Sequence, residues 1–527
     1  MAVALEPAPR RLRAAHAVGS RRGGDAAILA APVVLAIALS LYELGTRSLW
    51  LDEAATVAIA SQPGSALWNA MAHDGGNMLG YYALLHVLIA WFGHGAFVIR
   101  LPSVLAAGAC AGAVSLLALR AFGRRAALAA GLLTAVSLPL VFWGQNARGY
   151  AAMTALVAGS FAAFAALTAD SDDTDAAGPA RRHRAWIAYV LCTALAVYAS
   201  YVAILALPAQ LVALIWRREA WRRVLAAIAV CAVCWIPLAV LAATRGSGQL
   251  FWIPRPGLAS EKQVVLALTS AGFEPNFHPT WVAGALAAVT VALLAIAAAR
   301  VVRARRWEAI LVLSWLVVPV ALMWLESLVG QSIFTPRNLL VALPAAALLL
   351  GWLLTETRFG WPALVVLIAA RALVLAPSYG TSPENWRAAT SYVLHARRSG
   401  DCVAFYPQDA RMPFAYYAGE PVTPYIERYE APRIPGGCRR VWLVVSHEGQ
   451  PSGPPTVRAH YARYLALRAS LGREYGHQRT RGFGYASRIW VELFYGRSEV
   501  PTNVSALRAT SSTPLVASST VNARPRT

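Results

Sequence analysis

The sequence predicts a polytopic α-helical membrane protein of about 11 transmembrane helices, followed by a small extracytoplasmic α/β domain. Three observations carry this. Of 527 residues 57% are hydrophobic and only 14% charged, where soluble domains carry about 25% charged. Apolar runs of roughly 16 to 23 residues recur along the chain, close to the ~20 that cross a hydrocarbon core. After Ala376 the pattern changes to a helix-spaced stretch followed by strand-like runs.

The elements follow in order. Residues 1–25 form a basic N-terminus that Arg10, Arg11, Arg13, Arg21 and Arg22 hold in the cytoplasm. The apolar stretch behind it has no convincing small-residue cleavage site, so it reads as a retained helix and not a signal peptide. Within residues 26–376 spans are expected at Ala26–Leu44, Phe97–Leu119, Ala126–Trp143, Tyr150–Thr168, Ala185–Ser200, Tyr201–Trp216, Val224–Ala243, Thr280–Ala299, Glu308–Leu325, Asn338–Leu354 and Trp361–Ala376. The scheme requires that "LGYYALLHVLIAWFG", Leu79 to Gly93, not span; it is short and rich in aromatics, as for an interfacial helix.

Charge sets the orientation. The net charge of +21 comes almost wholly from arginine, since Lys262 is the sole lysine. The arginines sit in short turns such as "RAFGRR", "RREAWRR" and "RVVRARR", which argues for helix orientation in a bilayer and against nucleic acid as a partner. The acidic segment "ADSDDTDAAGPARRHR" reads as a cytoplasmic connector. Cys231 and Cys234 form a CxxC inside an apolar run with no second pair to complete a zinc site, so they count as small hydrophobes.

Residues 377–500 are expected to form the extracytoplasmic α/β domain, with "DCVAFYP" and "RVWLVVS" as buried strands, and 501–527 a disordered tail. If the two strands are parallel neighbours, Cys402 and Cys438 meet at one sheet edge and can bridge; otherwise both stay free.

Candidate chemistry gathers on the outer face. Asp52 and Glu53, in "SLWLDEAATVA", lie just outside the first span, where a carboxylate can be solvated on one side and act on a lipid-borne group on the other, or can simply cap the helix that follows. Asp74 is a third acid in the same loop region, with His73 beside it. Arg148, with Tyr150 beside it in "QNARGY", and Arg337 in "TPRN" are isolated cations at outward helix ends, suited to bidentate phosphate binding or to lipid headgroups. Arg100 starts a span and needs a partner, which favours a structural role. In the loop 244–279, Trp252 and His278 are candidate sugar contacts, against ordinary interfacial anchoring.

Six blocks in order, "SLWLDEA", "YYALLHVLIAWFG", "FVIRLPSVLAAG", "FWGQNARGYAAM", "FTPRNLLVALPAAALLLG" and "ENWRAATSYV...GDCVAFYP", resemble those of the protein-O-mannosyltransferase-like bacterial membrane glycosyltransferases, glycosyltransferase family 39-like, of the GT-C superfamily. The resemblance runs from about Ser48 to Tyr417. It implies a GT-C type fold and inverting transfer of a sugar, mannose first, from a polyprenyl-phosphate donor to a hydroxyl acceptor at the extracytoplasmic face of the plasma membrane. Asp52 then corresponds to the base, and Glu53 to an acid that positions the acceptor or sets the basicity of Asp52. Two departures stand out: "HDGGNMLGYY" where relatives read like "HPPLYY", and Arg337-Asn338 where they read Arg-Tyr.

The acceptor can be a protein, a glycan, a lipid or a secreted natural product. Transfer of arabinose or an aminopentose, and a lipid-linked sugar flippase without catalysis, are the rival readings; only the flippase has no use for an outward base. No organic cofactor and no metal ligand set is expected, although a divalent metal is left open.

Overall fold

The computed structural model describes residues 10–169, 178–245, 250, 252–272, 280–424, 432, 434–485 and 488–496. Half of the acidic connector (170–177), His278 and the tail 501–527 lie outside the described residues.

The helices, in chain order, are α1 Arg10–Leu41, α2 Leu51–Ala60, α3 Gly64–His73, α4 Leu79–Phe92, α5 Ala96–Ala121, α6 Arg124–Ala135, α7 Leu138–Gly144, α8 Tyr150–Leu167, α9 Gly178–Ala199, α10 Ala206–Leu214, α11 Trp221–Cys234, α12 Ile236–Arg245, α13 Leu258–Leu268, α14 Thr280–Ala304, α15 Trp307–Val329, α16 Leu343–Thr355, α17 Gly360–Leu375, α18 Trp386–Ala396, α19 Arg411–Ala418 and α20 Pro455–Glu474. Among the described residues seven helices are long and apolar enough to cross a membrane, or up to nine if each of two bent pairs is one span. The chain is therefore a multi-pass membrane protein.

All eleven expected segments are helical, but they differ in kind. Ala126–Trp143 is the pair α6 and α7, bent by 59°, and Val224–Ala243 lies in the pair α11 and α12, bent by 48°. Tyr201–Trp216 coincides with a shorter apolar helix, Tyr201–Leu214, and Ala185–Ser200 lies in α9, whose first turns carry Arg181, Arg182 and Arg184. Helix α4 has 14 residues, about 21 Å at 1.5 Å per residue, well short of the ~30 Å hydrocarbon core.

Packing within the helical body follows membrane rules, with small residues bringing backbones together. Helix α5 lies against α1, α6 and α8, and α16 against α6. At the α16–α6 crossing a Cβ on Gly351 would lie 2.6 Å from the backbone nitrogen of Ala130, so only glycine fits. On the outside, Trp281 and Val289 of α14 and Val365, Val366 and Leu373 of α17 are exposed, an apolar surface that lipid covers.

The C-terminal part carries one mixed sheet of β1 Asp401–Tyr406, β2 Arg440–Val445, β3 His477–Phe483 and β4 Ile489–Tyr495, in the order β1-β2-β4-β3. The pair β1 and β2 is parallel; β2 with β4 and β4 with β3 are antiparallel. Alternation within β2 explains its unbroken apolar run, because both faces are covered. Trp442 and Val444 point to a core with Trp386 and Phe414, while Val441, Leu443 and Val445 point to one with Tyr464 and Leu471 of α20. The edge strand β3 is exposed along all but its last residue. Cys402 and Cys438 are joined as a disulfide with a Cα separation of 5.6 Å, at the edge where β1 and β2 run side by side.

Asp401 anchors the start of this parallel pair. It accepts from Arg440 Nε at 2.8 Å and Nη2 at 2.5 Å, from Trp442 Nε1 at 2.9 Å and from the Arg398 amide at 2.8 Å. Burial opposes the charge of Asp401, but these donors prevail and hold its pKa at about 2. A carboxyl depressed below its unfolded value of about 3.9 contributes stability above that pH and loses it as pH falls through the folded value. Amide-exchange protection of β1 and β2 should therefore decline between about pH 4 and pH 2. Asp401→Asn should remove that decline and lower protection at neutral pH; a variant as protected as the parent at neutral pH would contradict it.

Candidate active site

Helix α2 begins directly after an extended Trp50 and places Asp52 and Glu53 in its first turn, where the helix dipole favours negative charge. Successive helical positions diverge by about 100°, so the two acids serve different neighbours.

Glu53 is fully buried and locked. Arg100 of α5 grips it through Nε to Oε1 at 2.8 Å and Nη2 to Oε2 at 2.7 Å, and the Ala147 amide donates to Oε1 at 2.8 Å. Arg100 Nη1 also donates to the carbonyls of Leu44 at 2.7 Å and Arg47 at 3.1 Å. Glu53 is thus spent on holding the loop together. Both of its carboxylate oxygens have donors, and its side chain is fully buried.

Asp52 faces two cations. Its Oδ2 lies 3.2 Å from Arg337 Nη1 and 3.9 Å from Arg148 Nη2. All three side chains are nearly buried yet keep some exposure, 7% for Asp52, 13% for Arg337 and 12% for Arg148, so the cluster is reachable where Glu53 is not. Arg337 precedes the short helical turn Asn338–Ala342, and its guanidinium lies between two rings, 4.6 Å from the centroid of Trp252 and 5.8 Å from that of Tyr150. Asn338 is buried and donates to the Ile333 carbonyl at 2.8 Å, fixing the turn.

Arg148 sits on the loop between α7 and α8 and donates from Nη1 to Thr56 Oγ1 at 3.1 Å and to the Tyr82 hydroxyl at 3.4 Å, while its buried Nε has no hydrogen-bond partner among the described residues. Burial opposes its charge, but Tyr82, Asp52, Tyr150 and Asp74 around it more than offset this and raise its pKa. Gly149 allows the loop to lie against the end of α9, since a Cβ there would come within 2.4 Å of the Ala199 carbonyl oxygen. Asp74 joins at one remove, accepting from the Tyr82 hydroxyl at 2.9 Å.

The segment His73–Tyr82 turns on two glycines. Gly75 and Gly76 both have positive φ, 75° and 74°, which proline, fixed near −65°, cannot adopt. This turn is a different solution from a proline-rich one.

The structure therefore brings together Asp52, Asp74, Arg148, Tyr150, Arg337 and Trp252, sets Glu53 behind them, and leaves His278 outside the described residues. Sequence reasoning missed Glu384, Tyr82 and Thr56. Glu384, in the "ENWRAATSYV" block, accepts from the Leu51 amide at 3.0 Å, next to Asp52. Its pKa is raised by burial, against the opposing pull of His447, Trp386 and the Leu51 amide. Among the described residues no group of three His, Cys, Asp or Glu side chains is placed to hold a metal.

Residues 78–243 match the family described as dolichyl-phosphate-mannose-protein mannosyltransferase. The fold is similar to ArnT from Cupriavidus metallidurans, at 15% identity over 88% of this chain and 97% of that one with a TM-score of 0.54. The same protein bound to undecaprenyl phosphate gives a TM-score of 0.52 at 15% identity, with the same coverage of both chains. The Archaeoglobus fulgidus oligosaccharyltransferase, in complex with zinc and sulfate, is similar over 90% of this chain and 74% of that one, at 14% identity with a TM-score of 0.51. No curated protein matches the chain. The comparisons thus give the chain the fold of these membrane proteins and, over residues 78–243, a likeness to the dolichyl-phosphate-mannose-protein mannosyltransferase family.

The Glu53–Arg100 pair yields a stability test. Breaking one half of a buried pair leaves an uncompensated charge, at a cost of about 3–5 kcal/mol. Glu53→Gln should lower thermal stability in detergent by that order and Asp52→Asn by much less; equal stability of the two variants would refute the division of roles.

Proposed function

We propose that the protein transfers mannose from a polyprenyl-phosphate carrier to a hydroxyl acceptor on the extracytoplasmic side, with inversion at the anomeric carbon. The observation that carries this is one accessible carboxylate flanked by two guanidiniums, Asp52 between Arg337 and Arg148. In the reaction the acceptor oxygen attacks the anomeric carbon in line and its proton passes to Asp52. The bond from that carbon to the phosphate oxygen breaks, and the electron pair leaves with the polyprenyl phosphate. Charge grows on the leaving phosphate in the transition state, where fixed guanidiniums stabilise it most.

The ion pair with Arg337 has a place in this scheme. While Arg337 donates to Asp52 Oδ2, that oxygen is not open to an acceptor proton, and a phosphate offers the guanidinium competing oxygens. Donor binding then draws Arg337 from Asp52 and frees the base only when there is a sugar to transfer. Tyr150 and Trp252 keep the guanidinium plane in position through the exchange. The remaining face of Trp252 suits a sugar ring, and Asp74, through Tyr82, steadies Arg148.

The outward orientation is supported by the disulfide, which oxidising compartments favour. A cysteine introduced at the exposed Ser452 should react with a membrane-impermeant thiol reagent in intact cells, and one at the exposed Arg303 should not; the opposite pattern overturns the placement.

The deciding experiment uses purified full-length protein and polyprenyl-phosphate mannose, with the arabinose and aminopentose carriers as alternatives. The expected result is an inverted mannoside. Asp52→Asn should cut turnover by roughly 10²-fold or more, and Arg337→Gln should weaken donor binding by about 1.5–3 kcal/mol. Parental turnover in Asp52→Asn would sink the base assignment. Translocation of donor across the membrane without any glycoside formed would favour the flippase instead.

A further inference from the structure

The C-terminal part does more than lie beside the helical body. Six of the seven residues Gly45–Leu51, the run that leads into Asp52, bond to residues between Ser378 and Tyr417. Arg387 donates to the carbonyls of Thr46 at 3.0 Å and Gly45 at 3.1 Å, and Arg47 Nη2 donates to the Ser378 carbonyl at 2.9 Å. The Ser48 amide donates to Ser382 Oγ at 3.0 Å, the Arg387 amide to Ser48 Oγ at 3.2 Å, and the Leu49 amide to the Tyr417 hydroxyl at 2.7 Å. The last bond runs from the Leu51 amide to Glu384 Oε2 at 3.0 Å.

That last bond differs from the others in kind. Helix α2 has no side-chain cap from its own N-cap residue, Trp50. The first amides of a helix need acceptors, and here the acceptor comes from 333 residues away. Glu384 is itself fixed from two sides: Trp386 Nε1 donates to Oε2 at 2.7 Å, and His447 Nε2 lies 2.9 Å from Oε1. Its side chain is 2% exposed, so its aim does not depend on solvent. Met412 of α19 adds an apolar contact to Leu51, Ala54 and Ala58 on the same helix.

We propose that Glu384 is a positioning residue for the transfer reaction: a carboxylate lent by the C-terminal sheet domain that caps the catalytic helix one residue before Asp52 and fixes where that base points. The inference rests on the reading of Asp52 as the base. It makes the domain part of the active centre, acting through the first turn of α2. Arg148 and Arg337 reach Asp52 from other elements, so the donor's phosphate site does not run through Glu384. Loss of Glu384 therefore separates turnover from donor binding, which general unfolding does not.

The test uses the full-length protein. Glu384→Ala should lower kcat by tens of fold, up to about 10²-fold, the scale of a misplaced reacting group, with donor Kd near the parental value. Amide exchange in the peptide around Leu51 should speed up. Glu384→Gln, which keeps an oxygen for the Leu51 and Trp386 donors, should restore most of the rate. His447→Ala removes one tether of Glu384 without touching α2, and should give a smaller loss in the same direction; it serves where Glu384→Ala does not fold. Parental kcat in Glu384→Ala, or a loss confined to donor affinity, overturns the proposal. If Asp52→Asn is inactive while Glu384→Ala turns over normally, only this inference falls; if Asp52→Asn turns over normally, the base assignment falls with it.

Discussion

The buried pair of Glu53 and Arg100 is the constraint on which the site depends. One guanidinium reaches from α5 to the carbonyls of Leu44 and Arg47 and to the first turn of α2, while the carboxylate it grips also receives the Ala147 amide. The end of the first membrane helix, the loop that follows, α2 and the loop bearing Arg148 are thereby referred to a single ion pair. Two charges taken out of water are costly, and the cost is tolerable because nearly every donor and acceptor in the pair is matched. With Glu53 so occupied, Asp52 is left as the carboxylate able to exchange partners.

Much of this was legible in the sequence, and the reasons differ by residue. Spans follow from run length and charge, which act locally, so α5, α8, α14, α15 and α17 could be read directly. The breaks in α6–α7 and α11–α12 could not, since a bent pair has the same apolar content as a straight one. Asp52, Arg148 and Arg337 stand out because a charge at an outward helix end needs a reason, and their meeting agrees with a shared task. Trp252 reads from the sequence as a ring for sugar; that Arg337 lies over it depends on two loops approaching each other, which no local pattern encodes.

Glu53 and Glu384 show the limit from opposite sides. Adjacent acids look like a functional pair, yet helical geometry turns one inward, and the need of Arg100 for a partner 47 residues away decides its fate. Glu384 looked like part of a remote domain, and its role appears only when the chain folds back to the start of α2. In both cases the missing information was the identity of a distant hydrogen-bond partner. The alternation in β2, by contrast, was readable as a buried strand because both faces are apolar.

The sheet order has a consequence for how copies of the protein share a membrane. Strand β3 closes one side of the sheet and is exposed nearly end to end, so its outer row of backbone donors and acceptors is a template for another strand. Arg479 and Arg481 lie on that strand and are exposed, and Arg481 is laid across Tyr392 and Phe483. Two molecules drifting in the same plane would meet edge to edge with like charges opposed. Lateral crowding, which anchoring in two dimensions promotes, is thus resisted by the same strand that would otherwise invite it.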